Sequence, residues 1–244
     1  PWALTSSMSP EAFLEWGWRI PFLLSIVLIA VGYVIRRAVD ESPVFEDLRR
    51  RRKEASAPLG QLFRSHTKQV VLTAVIFIAN NAAGYLLIAF FATYAVTGLG
   101  MERPPVLLAT TLASFGWLIF TLWGGALSDR LGRIRTFQIG YVALAVWAIP
   151  MWFLIDTANI VWYFVALFVM TFALGLSYGP QAALYAEMFP ANVRYSGVSI
   201  GYALGAILGG AFAPMIAEAL LNQFHAAWTI GVYIVAASII SLIG

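Results

Sequence analysis

Seven stretches without a single charged residue, most of them long enough to cross a bilayer, constrain this chain more than any other feature. They cover residues 20–35, 69–101, 104–128, 136–155, 157–186, 195–217 and 226–244. A helix needs about 20 apolar residues to span the hydrocarbon core, where it must satisfy its own backbone hydrogen bonds. Two of the stretches reach 33 and 30 residues. Buried helices of a water-soluble protein do not run that far without a charge. The first stretch has only 16 residues, but Trp16 and Trp18 before it and Tyr33 near its end suit interfacial anchoring. Composition agrees: 61% of the chain is hydrophobic and 11% charged, with a mean hydropathy of +0.80. Soluble domains are nearer half apolar and a quarter charged. The expectation is an all-α membrane protein of seven spans with no soluble domain.

Orientation follows from the basic residues. If the connections alternate sides, one side receives the segment 36–68, the turn at Arg130–Arg135 and Arg194. Of the fifteen Lys and Arg residues, only Arg19 and Arg103 fall on the other side. Such an excess marks the cytoplasmic face. The N-terminus of this chain is then outside and its C-terminus inside. Residues 1–18 read as an extracytoplasmic stub, 19–36 as a span, 37–68 as a cytoplasmic linker, and 69–244 as six further spans. The chain opens on Pro1 without an initiator methionine and ends at Gly244 inside an apolar run. Both ends lead one to expect a piece of a longer protein with its last span incomplete.

The linker carries Arg49-Arg50-Arg51-Arg52-Lys53. Between two spans on the inner face, attraction to anionic headgroups explains such a run better than nucleic-acid binding does. A solvated helix that merely respects topology is the plainer alternative. With no cysteine and with His66 and His225 far apart, nothing points to a metal site, an organic cofactor or a catalytic centre.

Two cytoplasmic turns carry acids and bases together. Gly125-Ala126-Leu127-Ser128-Asp129-Arg130-Leu131-Gly132-Arg133 joins two spans. Farther on lies Glu187-Met188-Phe189-Pro190-Ala191-Asn192-Val193-Arg194. Asp129, Arg130 and Arg133 in the first and Glu187 and Arg194 in the second are candidates for a conformational latch. The expected pairs are Asp129 with Arg133 and Glu187 with Arg194. The alternative is simple positive-inside anchoring.

The first turn resembles the Gly-x-Leu-x-Asp-Arg-x-Gly-Arg loop signature of the major facilitator superfamily, with Ile134 standing where the family often has a further basic residue. The segment SYGPQAALYAEMFPANVRYSGVSIGYALGAILGG from Ser177 onward resembles the tenth and eleventh spans of that superfamily's metabolite–proton symporter branch. Trp16-Gly17-Trp18-Arg19-Ile20-Pro21-Phe22 is similar to the branch's sixth span, and Glu41-Ser42-Pro43 follows it as in the branch. The resemblance implies the major facilitator fold. By it, the chain would be the C-terminal six-helix half plus the preceding span, spans six to twelve of twelve. It also implies that substrate sits near the midplane while the halves rock.

Gly197, Gly201, Gly205 and Gly209 recur every fourth residue in one span, continued by Ala213 and Ala217. Each glycine costs a helix about 1 kcal/mol relative to alanine. A row of them therefore implies close helix packing, and by the resemblance the expected partner lies in the absent N-terminal half. The resemblance also makes spans seven and ten line the cavity. That selects Asn80, Asn81 and Tyr85 in one, and Tyr178 and Gln181, with Thr171 and Tyr185, in the other. Substrate contact and interhelical hydrogen bonding are both open for these residues. Trp117 and Trp123 read as packing or interfacial side chains. No span holds a titratable residue at mid-depth, so a coupling proton is expected to be carried by the absent half.

The expected activity is secondary active transport, a proton-coupled symport of a small polar metabolite such as an organic acid or osmolyte, in the plasma (inner) membrane. The partners are then the substrate, the lipid bilayer and the N-terminal half, with no nucleic acid and no cofactor beyond the proton. A transporter-like sensor that binds solute without moving it is the competing reading.

Overall fold

A computed structural model describes residues 8–38 and 58–244. The basic run at 49–53 and the Glu41-Ser42-Pro43 segment lie outside the described residues. The chain divides into two compact units, Pro1–Glu54 and Ala55–Gly244.

In the first unit, Ser9 caps a short helix α1 (Pro10–Glu15), its Oγ accepting from the Ala12 amide at 3.2 Å. Gly17–Arg19 forms a single 3-10 turn, and helix α2 (Ile20–Ala38) follows. The apolar side chains of α2 from Phe22 to Ile35 are exposed. Cations stack on aromatic rings near its two ends. Arg19 lies 4.4 Å from the Trp18 ring centroid and Arg37 4.6 Å from that of Tyr33.

The second unit is a helical bundle. After the short α3 (Pro58–Ser65) come α4 (Thr67–Gly98), α5 (Arg103–Leu131), α6 (Arg133–Ala148), α7 (Pro150–Ile155), α8 (Ile160–Met188), α9 (Arg194–Phe224) and α10 (Trp228–Ile243). Among the described residues, five helices, Gly17–Arg37 included, have the length and composition to cross a membrane. The charge-free run at 136–155 departs from one continuous span. Pro150 lacks an amide hydrogen and divides it into α6 and α7. Gly132 makes the reversal between α5 and α6 at φ +92°, a backbone region that glycine enters without steric cost. Asn159 starts α8 by accepting from the Val161 and Trp162 amides.

Three long helices depart from regular α geometry; α8 is interrupted by a turn at Gly179–Pro180. In α4, π-helical turns occupy Leu86–Phe90 and Tyr94–Gly98, and in α9 one occupies Ile207–Ala211. The α9 turn lies just ahead of Pro214, which has no amide hydrogen to give the Gly210 carbonyl. At one end of α4, Tyr94 donates to Asp156 Oδ1 at 2.8 Å and packs against Phe90 and Trp152.

The core runs through α4, α6, α7, α8 and α10, with Phe77, Leu86, Tyr141, Leu144, Trp152, Tyr163, Met170 and Ile234 all buried. α4 and α8 are its most enclosed long helices, whereas α5 and α9 present most of their surface outward. The glycine row of α9 finds its neighbour within this unit. A Cβ on Gly201 would meet Thr73 Cγ2 at 2.6 Å, and one on Gly205 would meet the Ala74 carbonyl oxygen at 2.8 Å. One on Gly209 would strike the Ile78 carbonyl, and one on Gly197 the Phe189 ring. This corrects the expectation of a partner in the absent half: the row faces mainly α4. Periodicity identifies a smooth face but carries no information about what lies against it.

A second seam joins α5 to α8. A Cβ on Gly124 would come 2.6 Å from the Gly175 carbonyl oxygen. One on Gly175 would meet the Phe120 backbone and the Thr121 nitrogen, and one on Gly179 the Gly125 nitrogen. Here glycine stands on both helices, so backbone touches backbone.

Candidate functional site

A cavity of about 410 Å³ opens between α4, α5, α8 and α9. Each helix contributes one face. α4 supplies Phe77, Asn80, Asn81, Gly84, Tyr85 and Ile88; α5 supplies Ser114, Trp117, Leu118 and Thr121; α8 supplies Tyr178 and α9 supplies Tyr202. The spacings 77, 80, 81, 84, 85, 88 and 114, 117, 118, 121 are the i, i+3, i+4, i+7 pattern of one helical stripe. Gly84 is needed because a Cβ there would lie 2.7 Å from the Trp117 indole.

The wall is aromatic and uncharged. Phe77 and Tyr202 have ring centroids 4.4 Å apart, and Trp117 meets Tyr178 edge to face at 6.0 Å. The Tyr178 and Tyr202 hydroxyls lie 3.4 Å apart. Such a lining offers ring faces, hydroxyls and an amide, which can orient a small polar molecule but cannot neutralise a full charge.

The seven residues singled out in the sequence divide. Asn80, Asn81, Tyr85 and Tyr178 line the cavity. Asn80 is occupied, its Nδ2 donating to Ser177 Oγ at 2.8 Å and to the Leu174 carbonyl at 3.3 Å, both on α8. Asn81 donates to the Phe77 carbonyl of its own helix at 3.3 Å, and among the described residues nothing donates to its Oδ1. Gln181 is not in the cavity wall. It is buried and gives its Nε2 to the Tyr185 hydroxyl at 2.6 Å, which donates in turn to the Thr73 carbonyl at 3.2 Å. Thr171 likewise turns to its own helix, donating to the Phe168 carbonyl. Trp117, read from sequence as packing or interfacial, belongs to the wall, and its buried indole N–H has no hydrogen-bond partner among the described residues. Tyr202 was not singled out because it sits beside the glycine row on a helix whose small residues dominate the pattern.

Of the two expected pairs, Asp129 with Arg133 is present and Glu187 with Arg194 is not. Arg133, the first residue of α6, takes both acids: its Nε lies 2.6 Å from Glu187 Oε1 and its guanidinium 3.7 Å from Asp129 Oδ1. Arg194 instead donates to the Phe189 carbonyl at 3.2 Å, closing the break between α8 and α9. Arg130 has no ion pair among the described residues. Glu187 stands in the last turn of α8, where the helix dipole disfavours a carboxylate, and the Arg133 guanidinium offsets this. The Arg133–Glu187 contact ties α6 to α8 at the end of the bundle.

Among the described residues, no group of three His, Asp or Glu side chains is placed to hold a metal ion. What the unit presents is an uncharged cavity among apolar helices and an ion-pair cluster at their ends.

Comparison with known proteins bears on this arrangement. The chain is 34% identical over 247 residues to the inner membrane metabolite transport protein YhjE of Escherichia coli (strain K12), covering 99% of this chain and 55% of that protein. It is 29% identical over 244 residues to the shikimate transporter of the same strain, covering 95% and 54%. It is 30% identical over 227 residues to the citrate-proton symporter of Klebsiella pneumoniae, covering 90% and 49%. The chain thus spans about half the length of the curated relatives it matches. The sequence model of the Major Facilitator Superfamily matches residues 3–214, most of the chain, and the chain belongs to that superfamily.

Proposed function

We propose that the chain is the span-six-to-twelve part of a secondary active transporter that carries a small polar metabolite, an organic acid or an osmolyte, by alternating access coupled to protons. The cavity among α4, α5, α8 and α9 carries the reading. It is of metabolite size, and amide, hydroxyl and aromatic groups converge on it from four helices. By this reading the inward face bears the linker and the Asp129–Arg133–Glu187 cluster, the chain begins outside, and the protein lies in the inner membrane. The relatives named for transport of shikimate and for symport of citrate with a proton support that range of substrates. The wall supplied by this half has no charged residue. Groups that meet a substrate carboxylate and carry the proton therefore belong, in this proposal, to the N-terminal half.

The test is uptake of labelled organic acids and betaine-type osmolytes by the full-length protein in proteoliposomes. One of them should accumulate against its gradient when the outside is acidified, and a protonophore should abolish that accumulation. Accumulation indifferent to the protonophore would remove proton coupling. Binding without uptake would replace transport by solute sensing.

A further inference from the structure

One turn of α4, directly before the cavity residues, is held from outside by hydroxyls of three other helices. Tyr185 of α8 donates to the Thr73 carbonyl at 3.2 Å, Ser241 of α10 to the Val75 carbonyl at 3.0 Å, and Tyr141 of α6 to the Ile76 carbonyl at 2.6 Å. Ser241 also accepts from the Ala79 amide at 3.1 Å. Its hydroxyl thus stands between the two ends of a single i to i−4 step, receiving from residue 79 and giving to residue 75. A side chain inserted in this way loosens the local helical ladder and ties it to its neighbour. All three hydroxyl-bearing residues are buried, and none lines the cavity.

Packing alone does not call for these hydroxyls, since phenylalanine and alanine would fill nearly the same space. Their directional bonds supply what the contact with α9 lacks. There α9 presents Gly201, Gly205 and Gly209, a smooth surface against which a helix can slide or turn. A helix rotates about 100° per residue, so a slip of one residue would carry Asn81 and Tyr85 out of the wall.

We infer that Ser241, Tyr141 and Tyr185 are positioning residues for the cavity: their hydroxyls fix the height and rotation of α4 and thereby hold Asn81 and Tyr85 at the substrate. Gln181 assists by orienting the Tyr185 hydroxyl. The functional half of this inference rests on the transport reading, while the geometric half does not.

The experiment uses the full-length protein with Ser241→Ala, Ser241→Thr, Tyr141→Phe and Tyr185→Phe. Tyr163→Phe serves as control, because it removes a buried hydroxyl bonded to Thr110 rather than to α4. The probe is the labelled metabolite that the wild-type protein takes up. Each of Ser241→Ala, Tyr141→Phe and Tyr185→Phe should raise the half-saturating concentration about fivefold, the equivalent of one neutral hydrogen bond, with the maximal rate little changed. Ser241→Thr should restore most of the wild-type value, and the control should match wild type. Amide hydrogen exchange over residues 73–81 is read in parallel and needs no transport; Ser241→Ala should speed it selectively. Unaltered exchange overturns the inference. So does an unshifted half-saturating concentration in protein that transports, or the same shift in the Tyr163→Phe control. If wild type takes up nothing, the transport reading fails, and the exchange measurement alone decides whether Ser241 positions α4.

Discussion

The α5–α8 and α4–α9 interfaces are both built on glycine, yet they are built differently. Between α5 and α8 the glycines stand on both sides, so Gly124 and Gly125 meet the backbone of Gly175 and Gly179. Neither helix can retreat without moving whole. Between α4 and α9 the glycines stand on α9 alone. They face Thr73, Phe77 and two carbonyls of α4, and both helices contain π-helical turns. The first contact resembles a weld and the second a bearing. The cavity touches all four helices: α5 and α8 are fixed to each other, α4 is fixed by the hydroxyls of α6, α8 and α10, and α9 is the wall left to adjust. π-Helical turns recur where helices serve function, and here they fall on the two helices of the bearing.

The largest effect should therefore come from the weld. A Cβ added by Gly175→Ala would press on the Phe120 backbone, and overpacking of this kind costs about 1–3 kcal/mol. With no side chain able to yield, we expect the upper end, about 3 kcal/mol, read as a lowered unfolding midpoint in micelles. Gly201→Ala meets the Thr73 side chain rather than backbone, and alanine gains the helix the same propensity, about 1 kcal/mol, at either position. The net loss at Gly201 should stay near 1 kcal/mol. Equal losses at the two positions would dissolve the distinction between the interfaces.

The same contrast explains what could be read in the sequence. Charge-free runs locate the helices because the bilayer admits no other solution for the backbone. The row Gly197, Gly201, Gly205, Gly209 was legible as a close-packing face, but the helix opposite was not, because periodicity describes one surface at a time. The α5–α8 seam is less visible: its glycines are split between distant segments, and only their meeting makes a pattern. For polar residues, depth in the membrane was legible and direction was not. Asn81 and Gln181 looked equivalent, yet one borders the cavity and the other serves a tyrosine. Of the ion pairs, Asp129 with Arg133 was legible, but Glu187 with Arg194 failed for a related reason. Neighbours in sequence were paired, whereas Arg133 reaches 54 residues along the chain to Glu187.

Adjacent asparagines on α4 give a finer probe. Asn80 ties α4 to α8, the inner partner of the weld, through Ser177 and Leu174. Asn80→Ala should lower stability by about 1 kcal/mol, the usual worth of an interhelical polar contact in a membrane. Asn81 makes only a bond within its own helix. Asn81→Ala should leave the unfolding midpoint within about 0.5 kcal/mol of wild type and raise the half-saturating substrate concentration several-fold. A stability loss at Asn81 as large as that at Asn80 would place both in the framework.

The smallest effects are expected where the frame ends in water. Asp129 and Glu187 are 70% and 60% exposed, and their shared partner Arg133 is 33% exposed. Exposed ion pairs contribute between zero and about 1 kcal/mol. Glu187 is the closer partner and the one that joins two helices, whereas Asp129 lies one turn away on the segment that leads into Arg133. Glu187→Gln should therefore cost about 0.5 kcal/mol, an effect that shrinks in high salt, and Asp129→Asn should cost less. If the cluster steadies one conformation, the same order should appear in cysteine labelling of inward- and outward-facing positions. Glu187→Gln would shift the balance more than Asp129→Asn. Labelling that is unchanged in both would reduce the cluster to topological anchoring, leaving the glycine weld and the hydroxyls around α4 as what distinguishes the fixed helices of the wall from the adjustable one.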